Sequence, residues 1–302
     1  MKIHCLSGPP TPKIALALAD FEKEFSYPLG PGRSFSISHG ADYSLFFRCM
    51  GEARIYLAEI SGKIVGALAV VRRTAVLADG SMIPADYICD AKVASAHRGR
   101  TVLGRLALKA RDDTMAMGFQ AAYSVVMSGS IPTDALTGRL GIPHFKAIAQ
   151  LAILRFDTRT GLRPVANCPS DRRGAYHRFQ AGNASLGSEI QPYPLEVDGA
   201  RGILADTRVG KRLWQSDRHE MVSAHLTGLI FESMRPLSDL IVAAVKIARK
   251  LGFPGLFMSL PADDPALGAI IESASVTPTV AQATVFGTGL PEGPWMVDTS
   301  EI

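Results

Sequence analysis

The first half of the chain switches several times between two periods of hydrophobic and polar residues. Apolar residues recur every three to four positions in residues 13–25 and 102–117, which predicts two amphipathic helices. Four segments have the apolar runs typical of strands, residues 54–59, 63–72, 85–93 and 120–127. The first two are joined by a tight turn at Ser61 and Gly62. A short helix at 133–140 and a strand at 147–156 follow. This order predicts an α+β fold in which helical layers flank a mixed sheet (α/β/α).

The second half repeats the rear part of this plan. A shift of 134 residues lays the apolar helix expected at 237–251 over the helix ending at residue 117, and the strand 256–260 over 122–126. The same shift places a helix at 266–273 over 132–139, and a shift of 132 aligns the strands that close both halves. Agreement of four elements favours a duplication, and a chance alignment of similar units is the alternative. We therefore expect two halves, 1–160 and 161–302, joined through the Gly- and Pro-rich segment 160–194.

Composition excludes several classes of protein. Of the 302 residues, 47% are hydrophobic and 20% are charged, as in a globular protein with a substantial core. No apolar run approaches the ~20 residues of a membrane span, and no signal sequence is recognised, so we expect a cytoplasmic protein without a membrane role. The net charge of +4 is too small to suggest nucleic acid as a partner. The four cysteines lie far apart without metal-ligand spacing, which argues against a zinc site and a disulfide scaffold.

The most informative segment is the basic turn between the strand that ends at Val93 and the helix that begins near Val102. Backbone N–H groups at a helix N-terminus are free to bind an anion, and the helix dipole favours negative charge there. Arg98 and Arg100 add fixed positive charge beside those donors. The turn therefore predicts a binding site for a diphosphate group.

The layout of this turn resembles the acyl-CoA-binding loop of the GNAT N-acyltransferase superfamily. The signature of that loop is Arg or Gln, two residues, Gly, one residue, and Gly or Ala; Arg98 takes the first position here. Thr101 and Leu103 stand at the two small-residue positions. The hairpin with Gly62 and Gly66 and the later Leu-Gly pair at 140–141 also match the family, so the resemblance covers residues 55–156. It implies a GNAT domain in residues 1–160 and a second GNAT-like copy in 161–302 that lacks the cofactor loop.

This resemblance implies a cofactor site and a substrate class. Acetyl-CoA or another acyl-CoA is expected as co-substrate, with the residues that bind it along the strand end and the turn: Ala91, Val93, Arg98, Gly99, Arg100, Thr101, Val102 and Leu103. The expected acceptor is a primary amine of a small molecule, which attacks the thioester directly. No metal is required. Whether the protein acts as a monomer or a homodimer stays open.

The resemblance also points to residues for proton transfer. In the family, a carboxylate often stands six residues before the final valine of the strand, a position that Tyr87 takes here. Asp90 is close by, and strict strand alternation turns it to the face opposite Tyr87 and Val93. The tyrosine that acts as general acid in the family aligns with Thr137, which is a poor acid. Tyr123 on the next strand is therefore the candidate for this role. These three side chains, Tyr87, Asp90 and Tyr123, are the catalytic candidates.

The end of the chain offers a further candidate, because in some tandem relatives a C-terminal carboxylate enters the active site; Glu301 or Ile302 would take that role. The leading hypothesis is an acyl-CoA-dependent N-acyltransferase, most simply an acetyltransferase. One alternative is transfer of longer acyl chains, as in N-acyl amino acid synthases. The other is a non-catalytic module that binds CoA or another ligand, which the larger residues at 101 and 103 would favour.

Overall fold

The computed structural model describes residues 1–28, 33–163, 165 and 176–302, apart from the side chains of residues 184 and 266. Cys168 and most of the expected connection before residue 176 lie outside the described residues. The helices are α1 Pro12–Glu22, α2 Leu45–Met50, α3 Val102–Ala116, α4 Met234–Lys250 and α5 Ala266–Ser273. Short 3-10 helices span Ser95–His97, Thr133–Leu136, Ala184–Leu186 and Thr299–Glu301.

The strands alternate with these helices along the whole chain. In the first half they are β1 Lys2–Leu6, β2 Tyr27–Pro28, β3 Ser34–Ser38, β4 Glu52–Ile60, β5 Lys63–Val76, β6 Met82–Val93, β7 Ala121–Met127 and β8 Lys146–Asp157. In the second half they are β9 His177–Phe179, β10 Tyr193–Val197, β11 Ala200–Ala205, β12 Arg212–Gln215, β13 Ala224–Phe231, β14 Gly255–Pro261, β15 Thr279–Thr288 and β16 Trp295–Met296. The predicted α+β class with a mixed sheet is confirmed.

Two βαβ units organise the main sheet. β6 leads through α3 to β7, and β13 leads through α4 to β14; in both units the two strands are parallel. The order of the longest path is β1-β4-β5-β6-β7-β15-β8-β14-β13-β11-β10. β15 is thus inserted between β7 and β8, and β14 pairs with β8 on its other edge. The two halves of the chain therefore share one continuous sheet.

One predicted helix is wrong. Residues 133–140 were expected to form a short α-helix, but only the 3-10 turn Thr133–Leu136 is present. Gly138, Leu140 and Gly141 follow it with φ angles of 76°, 53° and 73°. Left-handed backbone cannot continue a right-handed helix, so the chain turns here instead.

Helix α3 lies against the sheet through a close approach to β5. Its buried residues include Val102, Leu106 and Ala110, the apolar stripe expected from the sequence. A Cβ atom at Gly66 of β5 would lie 2.7 Å from Cγ1 of Val102, so only glycine lets the helix pack this closely. Within the described part of the chain, no helix is both long and apolar enough to cross a membrane.

Candidate active site

Strands β6 and β7 form a fork at the centre of the first half. They pair in parallel only at three positions, the last of which joins Tyr87 to Tyr123. Beyond this point β6 runs on to Val93 beside β5, while β7 continues beside β15. The two strands therefore diverge at their C-terminal ends and leave a wedge-shaped opening. Its apex is the Tyr87–Tyr123 pair, and the turn after β6 lies at its wide end.

One wall of the fork is apolar. Ile88 of β6 and Val126 of β7 pack in the same small cluster as Phe145. Ile88 pairs with Val70 of β5, which lies on the same face of that strand as Gly66. Since Gly66 meets α3, this wall belongs to the side of the sheet that α3 covers. The apolar side chains of this wall therefore suit an uncharged part of a ligand better than a charged group.

A β-bulge interrupts β6 within the fork. Ala69 pairs with Cys89 but Ala67 pairs with Lys92, so two steps along β5 match three along β6. Asp90 takes up the extra residue with a φ of 51°. The expectation from strict alternation, that Tyr87 and Val93 share a face opposite Asp90, is therefore wrong. The bulge puts Tyr87 and Lys92 on one face and Val93 on the α3 face.

The carboxylate of Asp90 is held by two buried partners. The hydroxyl of Tyr43 donates to one oxygen, and Nζ of Lys92 lies 2.5 Å from the other. Burial alone would raise the pKa of Asp90, but the Lys92 ammonium and the His39 imidazole keep it below its ordinary value. His39 is in turn paired with the buried carboxylate of Glu22, with 2.5 Å between Nδ1 and Oε1. These contacts suit a carboxylate that fixes the bulge better than one that accepts a proton.

The turn that follows β6 carries the expected anion-binding features. Arg98, Arg100 and Arg105 are all exposed. Gly99 has a φ of 74° and Thr101, the residue before α3, a φ of 61°. Both are left-handed conformations that glycine adopts freely and that cost a threonine about 1–2 kcal/mol. Thr101 thus has the backbone conformation for which the family uses glycine.

The N-terminus of α3 has free donors next to these arginines. The first helical hydrogen bond runs from the N–H of Arg105 to the carbonyl of Thr101, so the N–H groups of Val102 and Leu103 have no acceptor within the helix. Val102 is buried and Leu103 half-buried. The eight predicted cofactor residues therefore lie along one path, from the free strand of the fork at Ala91 and Val93 to the start of α3.

The two candidate tyrosines form part of a buried ring stack. The rings of Tyr87 and Tyr123 stack with centroids 4.6 Å apart, and Phe179 stacks on Tyr123 at 3.7 Å, with Trp295 beyond it at 4.8 Å. The hydroxyl of Tyr87 donates to the main-chain oxygen of Glu301 over 3.2 Å. The hydroxyl of Tyr123 is buried without a hydrogen-bond partner in the described structure. Burial raises the pKa of both phenols, so both keep their protons at neutral pH.

The last residues of the chain reach the apex of the fork. The carboxylate of Glu301 forms a buried ion pair with Arg73 of β5. The main-chain oxygen of Ile302 accepts a hydrogen bond from Nζ of Lys211. Burial lowers the pKa of Lys211 to about 8. Residues 301 and 302 therefore lie beside the tyrosine pair, where the resemblance had implied a C-terminal group.

The second βαβ unit has a fork of its own. β13 pairs with β14 only at Ala224 and His225 before the two strands diverge. Here the chain's own C-terminal segment bridges the strands: the N–H of Gly228 donates to Oδ1 of Asp298 over 3.0 Å, and the hydroxyl of Ser259 donates to the carbonyl of Val297. Residues 232–236, which form the turn after β13 and the first residues of α4, contain no glycine. In the second half, residues 297 and 298 thus fill the opening between the diverging strands, which is open in the first half.

A cavity of about 50 Å³ lies next to this bridge. Phe46 and Met50 of α2 form an apolar part of its wall, and Thr227, Asp298 and Glu301 are among the polar residues that line it. Burial raises the pKa of Asp298 to about 7, and the neighbouring Glu301 carboxylate adds to the shift. Sequence reasoning did not find Asp298, because a single aspartate after a short strand carries no signal by itself.

Within the residues that the structure describes, no group of three or more His, Cys, Asp and Glu side chains is arranged to hold a metal ion. The described cysteines Cys5, Cys49 and Cys89 are free thiols.

A family model matches the chain over residues 32–132, and its description is "Acetyltransferase (GNAT) domain". The match includes the fork, the bulge and the arginine-rich turn, and covers about a third of the chain. No match was found among curated protein sequences.

Three solved structures share the fold over nearly the whole chain. N-myristoyltransferase from Saccharomyces cerevisiae is 8% identical, with a TM-score of 0.62 and coverage of 95% of this chain and 82% of that one. Eis1 from Mycobacterium abscessus is 12% identical, with a TM-score of 0.52 and coverage of 94% of this chain and 73% of that one. A tandem GNAT protein from the clavulanic acid biosynthesis pathway is also 12% identical, with a TM-score of 0.52 and coverage of 97% and 100%. Residues 32–132 therefore form a GNAT domain, and nearly the whole chain shares the fold of these three structures, one of which is described as a tandem GNAT protein.

Proposed function

We propose that this protein is an N-acyltransferase that moves an acyl group, most simply acetyl, from acyl-CoA to a primary amine of a small molecule. The observation that carries the proposal is the open fork between β6 and β7, with an arginine-rich turn and free N–H donors at its wide end. A long uncharged arm that ends in a diphosphate fits this combination. The solved relatives support the choice of donor, since the yeast enzyme is described with bound myristoyl-CoA.

The turn is the proposed diphosphate site. Arg98 and Arg100 supply charge, and the N–H groups of Val102 and Leu103 point along the helix axis as donors. The side chain of Thr101 makes no capping hydrogen bond to α3, so its hydroxyl is free to donate to a phosphate oxygen. The larger residues at 101 and 103 therefore leave the donors in place.

The pantetheine arm would lie along the free edge of β6. The N–H of Ala94 donates to the carbonyl of Val65 on β5, and Val93 pairs with Gly66. Because the N–H groups of an antiparallel strand alternate in direction, the N–H of Val93 points away from β5 and into the fork. Such a donor polarises the thioester carbonyl as the amine attacks. The unpartnered hydroxyl of Tyr123 at the apex is the proposed acid for the leaving thiolate, while Tyr87 positions the C-terminal segment through Glu301.

The two halves take different parts in this proposal. Residues 1–160 bind the donor. Residues 161–302 lack a glycine-containing loop after β13, and their fork is bridged by Val297 and Asp298. The second half therefore builds the wall of the acceptor side rather than a second cofactor site.

Isothermal titration calorimetry tests the donor site directly. Acetyl-CoA, desulfo-CoA and a long-chain acyl-CoA would be titrated into the wild type and into an Arg98→Ala/Arg100→Ala double variant. Loss of two charged contacts to phosphate should weaken binding by about 10- to 100-fold. Arg235→Ala is the matched control, because Arg235 is an exposed arginine in the first turn of α4, the helix that corresponds to α3 in the second half.

Equal affinity of the double variant and the wild type would refute the diphosphate site. Tighter binding of the long-chain donor would favour transfer of longer acyl chains. Tight binding of CoA without turnover across a panel of primary amines would favour a non-catalytic binding module instead.

A further inference from the structure

The cavity beside Asp298 lies where the two halves meet. Its walls come from α2 of the first half and from β11, β13 and the C-terminal segment of the second. Glu301 is one of its lining residues, and the main-chain oxygen of Glu301 accepts the hydrogen bond from Tyr87. The cavity and the apex of the fork are therefore separated by a single residue.

The charges around the cavity leave one carboxyl group without a cation. Glu301 is paired with Arg73, and Asp206, which also lines the cavity, is paired with Arg208. Asp298 accepts a hydrogen bond from the N–H of Gly228, and no ion pair is found for it within the described structure. A partly buried carboxylate of this kind lowers its free energy when a cation enters.

We propose that this cavity binds a protonated amino group of the acceptor, which is therefore a diamine or a larger polyamine. The proposal rests on the proposed acyltransferase function. The ammonium ion held by Asp298 is not the group that attacks, because an amine must be neutral to attack a thioester and an ion pair with a carboxylate keeps it charged. A second amino group of the same molecule, placed at the fork, is the nucleophile.

The shape of the cavity supports a small cationic head. Its volume of about 50 Å³ leaves room for an ammonium group and a short stretch of alkyl chain. Phe46 and Met50 offer apolar surface for methylene groups, and Thr227 and Ser300 offer oxygen atoms for the remaining N–H groups. Apolar surface next to a carboxylate and hydroxyl oxygens fits an organic ammonium ion.

The test compares 1,4-diaminobutane with 1,4-butanediol, which has the same length but no amino group. Each is titrated at about pH 8 into protein saturated with desulfo-CoA, which lacks the thioester and so does not react. The wild type should bind the diamine at least about tenfold more tightly, the effect of one charge-assisted contact. Asp298→Asn should lose this preference, since the amide still accepts from Gly228 but carries no charge. Asp263→Asn, at an exposed loop aspartate, is the matched control and should keep it.

Protonation of Asp298 provides a second readout. Of the charged groups around the cavity, Glu301 and Asp206 are paired with Arg73 and Arg208. Nζ of Lys211 lies 4.4 Å from the ring centroid of Phe46 and donates to the main-chain oxygen of Ile302, in the wild type as in Asp298→Asn. His225 beyond them is neutral because burial lowers its pKa to about 3. The preference of the wild type for the diamine should therefore fall at about pH 6, where Asp298 is protonated.

Equal affinities of the two probes in the wild type, an unchanged preference in Asp298→Asn, or no measurable binding of the diamine would each overturn the proposal. Failure of the donor site is distinguishable. If desulfo-CoA does not bind, the proposed function fails, and the same two probes titrated into the protein alone still decide whether the cavity holds an ammonium ion.

Discussion

The carboxyl group of Asp298 should make the free energy of unfolding depend on pH in a predictable direction. Its pKa is about 7 in the folded protein and 3.8 as an unperturbed group. Between these two values the folded state binds a proton that the unfolded state has lost, so stability falls as pH rises. Below about pH 4 both states are protonated and the effect disappears. Asp298 therefore destabilises the wild type at neutral and alkaline pH.

The magnitude follows from the pKa difference. One pKa unit corresponds to about 1.4 kcal/mol, so a shift from 3.8 to about 7 costs up to about 4 kcal/mol when Asp298 is fully ionised. Because the carboxyl group is only partly buried, we expect about 2–4 kcal/mol. Asp298→Asn keeps the hydrogen bond with Gly228 and removes the charge. This variant should be more stable than the wild type by that amount at about pH 8, and nearly equal to it at about pH 4.

Urea unfolding at several pH values measures this difference, and Asp263→Asn controls for the loss of one negative charge. Addition of 1,4-diaminobutane at about pH 8 should stabilise the wild type but not Asp298→Asn, because a ligand that binds only the folded state adds to its stability. A difference between wild type and Asp298→Asn that stays constant from about pH 4 to pH 8 would refute the reasoning about the buried charge.

Three further variants test the fork and its surroundings. Thr101→Gly should be more stable than Thr101→Ala by about 1 kcal/mol in thermal unfolding, because glycine adopts the φ of 61° without strain, and Gly99→Ala should lose a similar amount; equal stabilities would contradict the strained turn. Glu301→Gln should lose about 3 kcal/mol of stability in urea, since it leaves the buried guanidinium of Arg73 without a counter-charge; a loss below about 1 kcal/mol would show that this pair is dispensable. Asp90→Asn should be less stable than the wild type at neutral pH and equal to it in strong acid, because a carboxylate with a lowered pKa stabilises the folded state only above that pKa; a difference that persists when urea unfolding is repeated in acid would contradict the role of its charge.

Helices α3 and α5 were predictable because their signals are local. The apolar stripe predicted α3 to within one residue of its observed end, and α5 begins and ends where expected. The hairpin turn was equally visible, and Ser61 and Gly62 have the positive φ angles of 50° and 80° that such a turn requires. Periods of 3.6 and 2 residues are properties of short segments, so the sequence itself displays them.

The bulge at Asp90 was not predictable from alternation. Inserting one residue reverses the face of every side chain after it, and no glycine marks the position. Aspartate tolerates left-handed backbone better than most residues, but it occurs at many other places in strands and turns. The faces assigned to Tyr87 and Val93 therefore needed the observed pairing with β5.

The position of β15 and the cavity beside Asp298 depend on contacts between distant parts of the chain. β15 pairs with β7 at residues more than 150 positions away, such as Val285 with Val125. The sequence showed a strand near residue 281 but not its neighbours, because a strand's own pattern states which face is buried and not which strand it joins. The cavity arises only after both halves are in place.

The two forks explain why residues 297–302 lie at the proposed active site. A fork exposes main-chain N–H and C=O groups of the diverging strands, and these groups need partners. In the first half the proposed partner is the arm of acyl-CoA, held at its far end by the turn that contains Arg98. The second half has no such turn, and Val297 and Asp298 bridge its strands instead. Filling the second fork carries Glu301 three residues further, to Arg73 and Tyr87 at the apex of the first fork. The same segment thus closes the second fork and links the cavity of Asp298 to the first fork. A diamine requires this arrangement, because one amino group binds at Asp298 while the other reacts at the first fork.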